Sequence, residues 1–124
     1  MTQRYAHVPV KQAVASPSAL SLLYPQSGIP GYSRQDFLAA LLLEQEGEIR
    51  RCLQKGAHAV QIDFTEGRLS IKLDPTRRLL ESFIDLNNLL IERFSADERK
   101  RIGVHSCPGA DRRSTHSAEV DYAD

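Results

Sequence analysis

Apolar residues fall at helical spacing in two long stretches of the chain and gather in short runs at three other places. Phe37, Leu38, Leu41, Leu42, Ile49 and Leu53 follow a period near 3.6, which predicts a helix over 34–55. Ser33 supplies an N-cap with Asp36 in the capping-box position, Gly56 supplies a stop, and Gly47 weakens the middle. A second stripe, Leu79, Leu80, Phe83, Ile84, Leu86, Leu90, Ile91 and Phe94, predicts a helix over 76–94, with Asp74 as cap and Pro75 at its first position. Ser95 and Glu98 open a brief third turn.

The short runs VKQAVA (10–15), AHAVQIDF (57–64) and RIGVHSC (101–107) read as strands. SPS (16–18) breaks the first, ALSLLYP (19–25) is apolar again, and QSGIPGY (26–32) is a Gly- and Pro-rich loop. TEGRLSIKLD (65–74) is a polar excursion expected to form a small hairpin. The order strand, helix, strand, helix, strand predicts an α/β unit with a parallel sheet and right-handed crossovers.

Composition adds exclusions. The 124 residues suit one domain at most, with 41% hydrophobic and 26% charged residues. Sixteen basic side chains balance sixteen acidic ones, which argues against a nucleic-acid or anionic-membrane partner. No apolar run approaches the roughly 20 residues that span a bilayer. The opening MTQRYAHVPVKQ lacks the apolar core of a secretory signal, so the expected compartment is the cytoplasm. There Cys52 and Cys107 are free thiols or metal ligands rather than a disulfide, and Cys52, in an amphipathic stretch, reads as a small core residue.

Chemistry in parallel α/β folds collects at the carboxyl ends of the strands. The three tails here carry Ser16 and Ser18, then Asp63, then His105 and Cys107. Positions 105 and 107 share a face in extended chain, and an imidazole beside a thiolate suits zinc. The same pair also reads as a core His and Cys at a strand end, and Asp63 as a carboxylate capping backbone N–H groups. Arg112 and Arg113 beside Ser114 could grip an anion, and His116 could act as an acid, although loop residues of these types are ordinarily solvated. His58 reads as structural, and Asn87 and Asn88 as surface or interhelix contacts. A small metal-free doubly wound domain is a further reading, but SPSALS is not the Gly-rich phosphate loop it requires.

VQIDF (60–64) resembles the I-Q-I-D-E-P segment of cobalamin-independent methionine synthases, and IGVHSCPG (102–109) resembles that family's strand with its H-x-C zinc pair. The similarity runs from Val10 onward and points to a methionine-synthase-like subfamily. It implies a fragment of a (β/α)8 TIM barrel of the methionine synthase/uroporphyrinogen decarboxylase type, about three strands and two long helices over 1–124. By that resemblance His105 and Cys107 are zinc ligands, and Asp63 holds the amino group of homocysteine. Ser16 and Ser18 are candidate substrate contacts at the same rim. The implied activity is that of a 5-methyltetrahydropteroyltriglutamate–homocysteine S-methyltransferase, moving a methyl group from a folate-type donor to a thiol in methionine biosynthesis.

The chain departs from the family at Phe64 and Thr65, where Glu-Pro is expected, and Glu66 follows. Leu23 falls near a folate-contacting Trp position, and the sequence has no Trp. The family's downstream Glu and second Cys have no counterpart, Glu119 being too close to His105. The sequence therefore predicts half of a zinc site and a barrel missing most of its strands, hence a non-catalytic piece, an oligomer, or one part of a split protein with exposed edges.

Overall fold

The computed structural model describes residues 5–107. Arg112, Arg113, Ser114, His116 and Glu119 lie outside the described residues. The chain forms β1 (Lys11–Ala15), α1 (Pro17–Ser21), α2 (Arg34–Gln54), β2 (Ala59–Asp63), α3 (Gly67–Leu73), α4 (Arg78–Ile91), α5 (Ala96–Arg99) and β3 (Ile102–His105). It is a small mixed α/β unit whose three strands pair in parallel in the order β1-β2-β3. The expected parallel sheet is present, with each strand shorter than its apolar run.

Strand alternation sends Val14, Val60 and Ile62 to one face, and these are buried. Leu42 and Ile49 of α2, Leu86 and Leu90 of α4, and Phe94 complete that core. Leu38, Cys52, Leu53, Ile91 and Ile102 pack around it, so Cys52 is the small core-lining residue its pattern suggested. Both long helices thus cover the same side of the sheet. The opposite face presents Ala13 and Ala15, Gln61 and Asp63, and Gly103 and His105 in register. Among the described residues no element covers it. No described helix is long and apolar enough to cross a membrane.

The two long helices start and stop for local reasons. Ser33 Oγ accepts from Asp36 N–H at 3.0 Å, and Gly56, at φ 89°, follows the end of α2 in the left-handed region. Arg50 of α2 holds Glu46 at 3.0 Å, pairs with Glu98 of α5, and lies 4.8 Å over the Phe94 ring. Glu46 also takes Arg93 at 3.1 Å; its hydrogen bonds to Arg93 and then Arg50 hold its carboxyl below the ordinary range.

Two expectations are corrected. Residues 67–73 form α3, not part of a hairpin. Leu69, Ile71 and Leu73 alternate as in a strand, but the segment packs on α4, and Ser70 and Asp74 N–H close helical bonds to Glu66 and Ser70 carbonyls at 2.9 and 2.8 Å. The second long helix begins at Arg78 rather than 76. Asp74–Arg77 is a turn closed by Arg77 N–H on Asp74 O at 3.0 Å, with Pro75 at its second position. Arg77 stands at φ 67°, a conformation that ends the turn before helix begins. Asp74 still caps, its carboxylate accepting from Leu79 N–H at 3.0 Å.

These caps set an acid limit on stability. The Thr76 hydroxyl and Leu79 N–H hold the Asp74 carboxyl below its ordinary range, and Ser95 N–H and hydroxyl do the same for Glu98. A carboxylate with a depressed folded pKa stabilises above its unfolded pKa, and the contribution disappears as pH falls through the folded value. Urea midpoints are therefore expected to hold from neutrality to about pH 5 and to fall below about pH 4. In Asp74→Asn and Glu98→Gln the acid-side fall should flatten; an unchanged profile in both variants would show that these caps do not carry it.

Candidate functional site at the carboxyl ends of the strands

The parallel register places Ala15, Asp63 and His105 side by side at the ends of β1, β2 and β3. Neighbouring strands lie about 4.8 Å apart, so Asp63 and His105 share the end of the face away from the helices. Phe64 N–H donates to His105 O at 2.8 Å, which carries the pairing one residue further and fixes the two tails together. Asp63 and His105 are both half-buried, and Cys107, also half-buried, follows two residues beyond His105. Among the described residues no three His, Cys, Asp or Glu side chains gather as a metal site.

Asp63 is tied along its own strand. Gln61 Nε2 donates to Asp63 Oδ1 at 2.6 Å. Lys11 Nζ, at the start of β1, donates to Gln61 Oε1. A line of polar groups therefore runs from the amino end of β1 to the carboxyl end of β2 on the helix-free face.

Ser16 and Ser18 have a different setting. Both are fully buried, just past β1, in a polar cluster with Glu66 and Asn87. The Ser16 hydroxyl donates to Glu66 Oε1 at 2.6 Å while its oxygen caps α1 by accepting from Ala19 N–H at 3.0 Å. The Ser18 hydroxyl donates to the same Glu66 oxygen, and Asn87 Nδ2 donates to Ser18 Oγ at 2.8 Å. Asn87 Oδ1 lies 3.4 Å from Ser18 N–H. Proton direction is consistent throughout: Asn87 to Ser18 to Glu66, and Ser16 to Glu66. The other carboxylate oxygen, Glu66 Oε2, is buried without a hydrogen-bond partner.

The strand-end residues thus fall into two groups. Asp63 and His105 come together on the open sheet face, while Ser16 and Ser18 join a buried network beneath the β1–α1 turn. Glu66 has no role legible in the sequence, whereas Asn87 is the interhelix contact its position suggested, joining α4 to Ser18 of α1. Asn87 had one signal available, being a polar residue inside the stripe of Phe83, Leu86 and Leu90 on α4. Glu66 had none, because its partners are about fifty positions away.

Near this rim the loop after α1 is folded on aromatic rings. The Tyr24 hydroxyl donates to Tyr32 O at 2.7 Å, and the Tyr24 and Phe37 ring centroids are 5.4 Å apart. Gly28 and Gly31 take φ near 77° and 75°, which favours glycine in the turns of this loop. Leu22 and Leu23 are exposed on its approach. No protein family matches the chain, and neither a curated protein nor a solved structure is significantly similar to it.

Proposed function

We propose that the chain forms part of a zinc-dependent methyltransferase barrel that moves a methyl group from a folate-type donor to a thiol such as homocysteine. The observation that carries this reading is the pairing of Asp63 with His105 at the strands' carboxyl ends, on the face that the helices leave bare. Parallel sheets are ordinarily covered on both faces, and a closed barrel is one arrangement that covers the second. In this reading Asp63 binds the ammonium of the acceptor amino acid, and His105 and Cys107 hold zinc. Their donor types fit that metal, and they fill two of the four positions it ordinarily takes. Bound zinc stabilises a thiolate at neutral pH. Asp63 and its neighbours orient the acceptor beside it. Ser16 and Ser18, through Glu66 and Asn87, shape the floor of the rim rather than contact substrate.

A non-catalytic chain is the second reading, in which His105 and Cys107 are only half-buried residues closing a strand and Asp63 is a carboxylate held by Gln61. Zinc retention after exhaustive dialysis, with methyl transfer from a methylated tetrahydrofolate to homocysteine, separates the two. The methyltransferase reading expects a zinc affinity that Cys107→Ser lowers at least about tenfold, with turnover once the remaining ligands are supplied. Equal zinc affinity in wild type and Cys107→Ser rejects the ligand assignment and leaves the second reading.

A further inference from the structure

We infer that Gln61 is a positioning residue for the Asp63 carboxylate, with its own amide orientation set by Lys11; the inference rests on the proposed role of Asp63 in holding an ammonium group. A lysine ammonium carries only donors, so the Gln61 atom facing Lys11 Nζ must be the carbonyl oxygen Oε1. The amide is planar, and this leaves Nε2 directed up the strand, where it donates to Asp63 Oδ1 at 2.6 Å. All three side chains lie on the sheet face away from the apolar core.

Two consequences follow for Asp63. Its Oδ1 is occupied, so rotation about the Cβ–Cγ bond is restrained and Oδ2 is the oxygen offered to a ligand. Its negative charge is met by a polarised amide rather than by a cation, because the lysine stands one residue removed. The carboxylate is therefore held in place and yet keeps its attraction for an incoming ammonium. A direct Lys–Asp pair would fix the carboxylate but compete with that ammonium. His105 is the other titratable group beside Asp63, in register on β3.

The test compares calorimetric binding of L-methionine with that of its des-amino analogue, 4-(methylthio)butanoate, to the full chain. Wild type is expected to prefer the amino acid, and Asp63→Asn to lose the preference. Gln61→Met should reduce the preference by about tenfold or more, the scale of one hydrogen bond to a charged group, with affinity for the analogue unchanged. Gln61→Glu, which places a second carboxylate beside Asp63, should shift the preference again. Lys11→Met should fall between wild type and Gln61→Met.

Side-chain 15N spectra give a second readout that needs no ligand. The two Gln61 Nε2 protons should be widely split in wild type, and the splitting should collapse in Asp63→Asn and narrow in Lys11→Met. If wild type shows no preference for the amino acid, the reading of Asp63 fails. If that preference survives intact in Gln61→Met while Asp63→Asn loses it, Asp63 keeps its role and the positioning role of Gln61 is overturned. Unchanged Gln61 proton shifts in both Asp63→Asn and Lys11→Met would overturn the hydrogen-bonded line itself.

Discussion

Leu90→Ala is expected to lower folding stability by about 3–4 kcal/mol, within the range for deleting a fully buried leucine. Leu90 has no solvent exposure and packs where α4 meets the sheet, in one cluster with Val14, Ile49, Val60, Ile62 and Phe94. Truncation removes its transfer free energy and leaves a cavity that two strands and two helices cannot readily close. Net stabilities of single domains are about 5–15 kcal/mol, so the change is a large share of the total. Urea unfolding should show a lower midpoint with an unaltered slope, since the surface exposed on unfolding is nearly the same. Leu89→Ala, one position along on an exposed face, should stay within about 0.5 kcal/mol. Equal costs at the two positions would contradict the packing of α4.

Glu66→Ala is expected to cost about 2–4 kcal/mol, because it leaves the buried hydroxyls of Ser16 and Ser18 without their acceptor. These bonds join the β1–α1 turn to the start of α3, and Asn87 extends the network to α4. Glu66→Gln is the informative companion. It keeps an oxygen that can accept from both hydroxyls, but puts an amide nitrogen where Oε2 has no partner and so buries N–H donors without an acceptor. Its cost should be about 1–2 kcal/mol, below that of Glu66→Ala, because both hydroxyls keep their acceptor. Urea titration of both variants checks the order. If Glu66→Gln proves as damaging as Glu66→Ala, acceptance by this oxygen is not what holds the network together.

The contrast between these two sites shows what kind of information each needed. The core positions around Leu90 are repetitive along the chain, and their periodicity announces which face is buried. The Glu66 network joins Ser16 and Ser18, which are neighbours in sequence, to Glu66 and Asn87, 48 to 69 positions away, and no local pattern links the distant members. Asp63 and His105 stand between these cases. Each marks the end of an apolar run and so was visible as a candidate, but their adjacency depends on β2 pairing with β3 in this register.

The sequence alone determined the order of the three strands and two long helices, the caps of α2 and the Ser95–Glu98 box, because helical periodicity, Ser33, Gly56 and that box act over a few residues; the turn that delays α4 to Arg78 was not legible there. It did not determine α1 and α3, which have five and seven residues. Over so short a span RLSIKL satisfies strand and helix spacing alike, and packing against α4 selects the helix. Tertiary structure also decided that Ser16 and Ser18 turn inward while Asp63 and His105 share the open face. Hydrophobic pattern specifies which side of an element is buried, whereas hydrogen-bonded polar contacts between distant segments form only once that burial has brought the segments together.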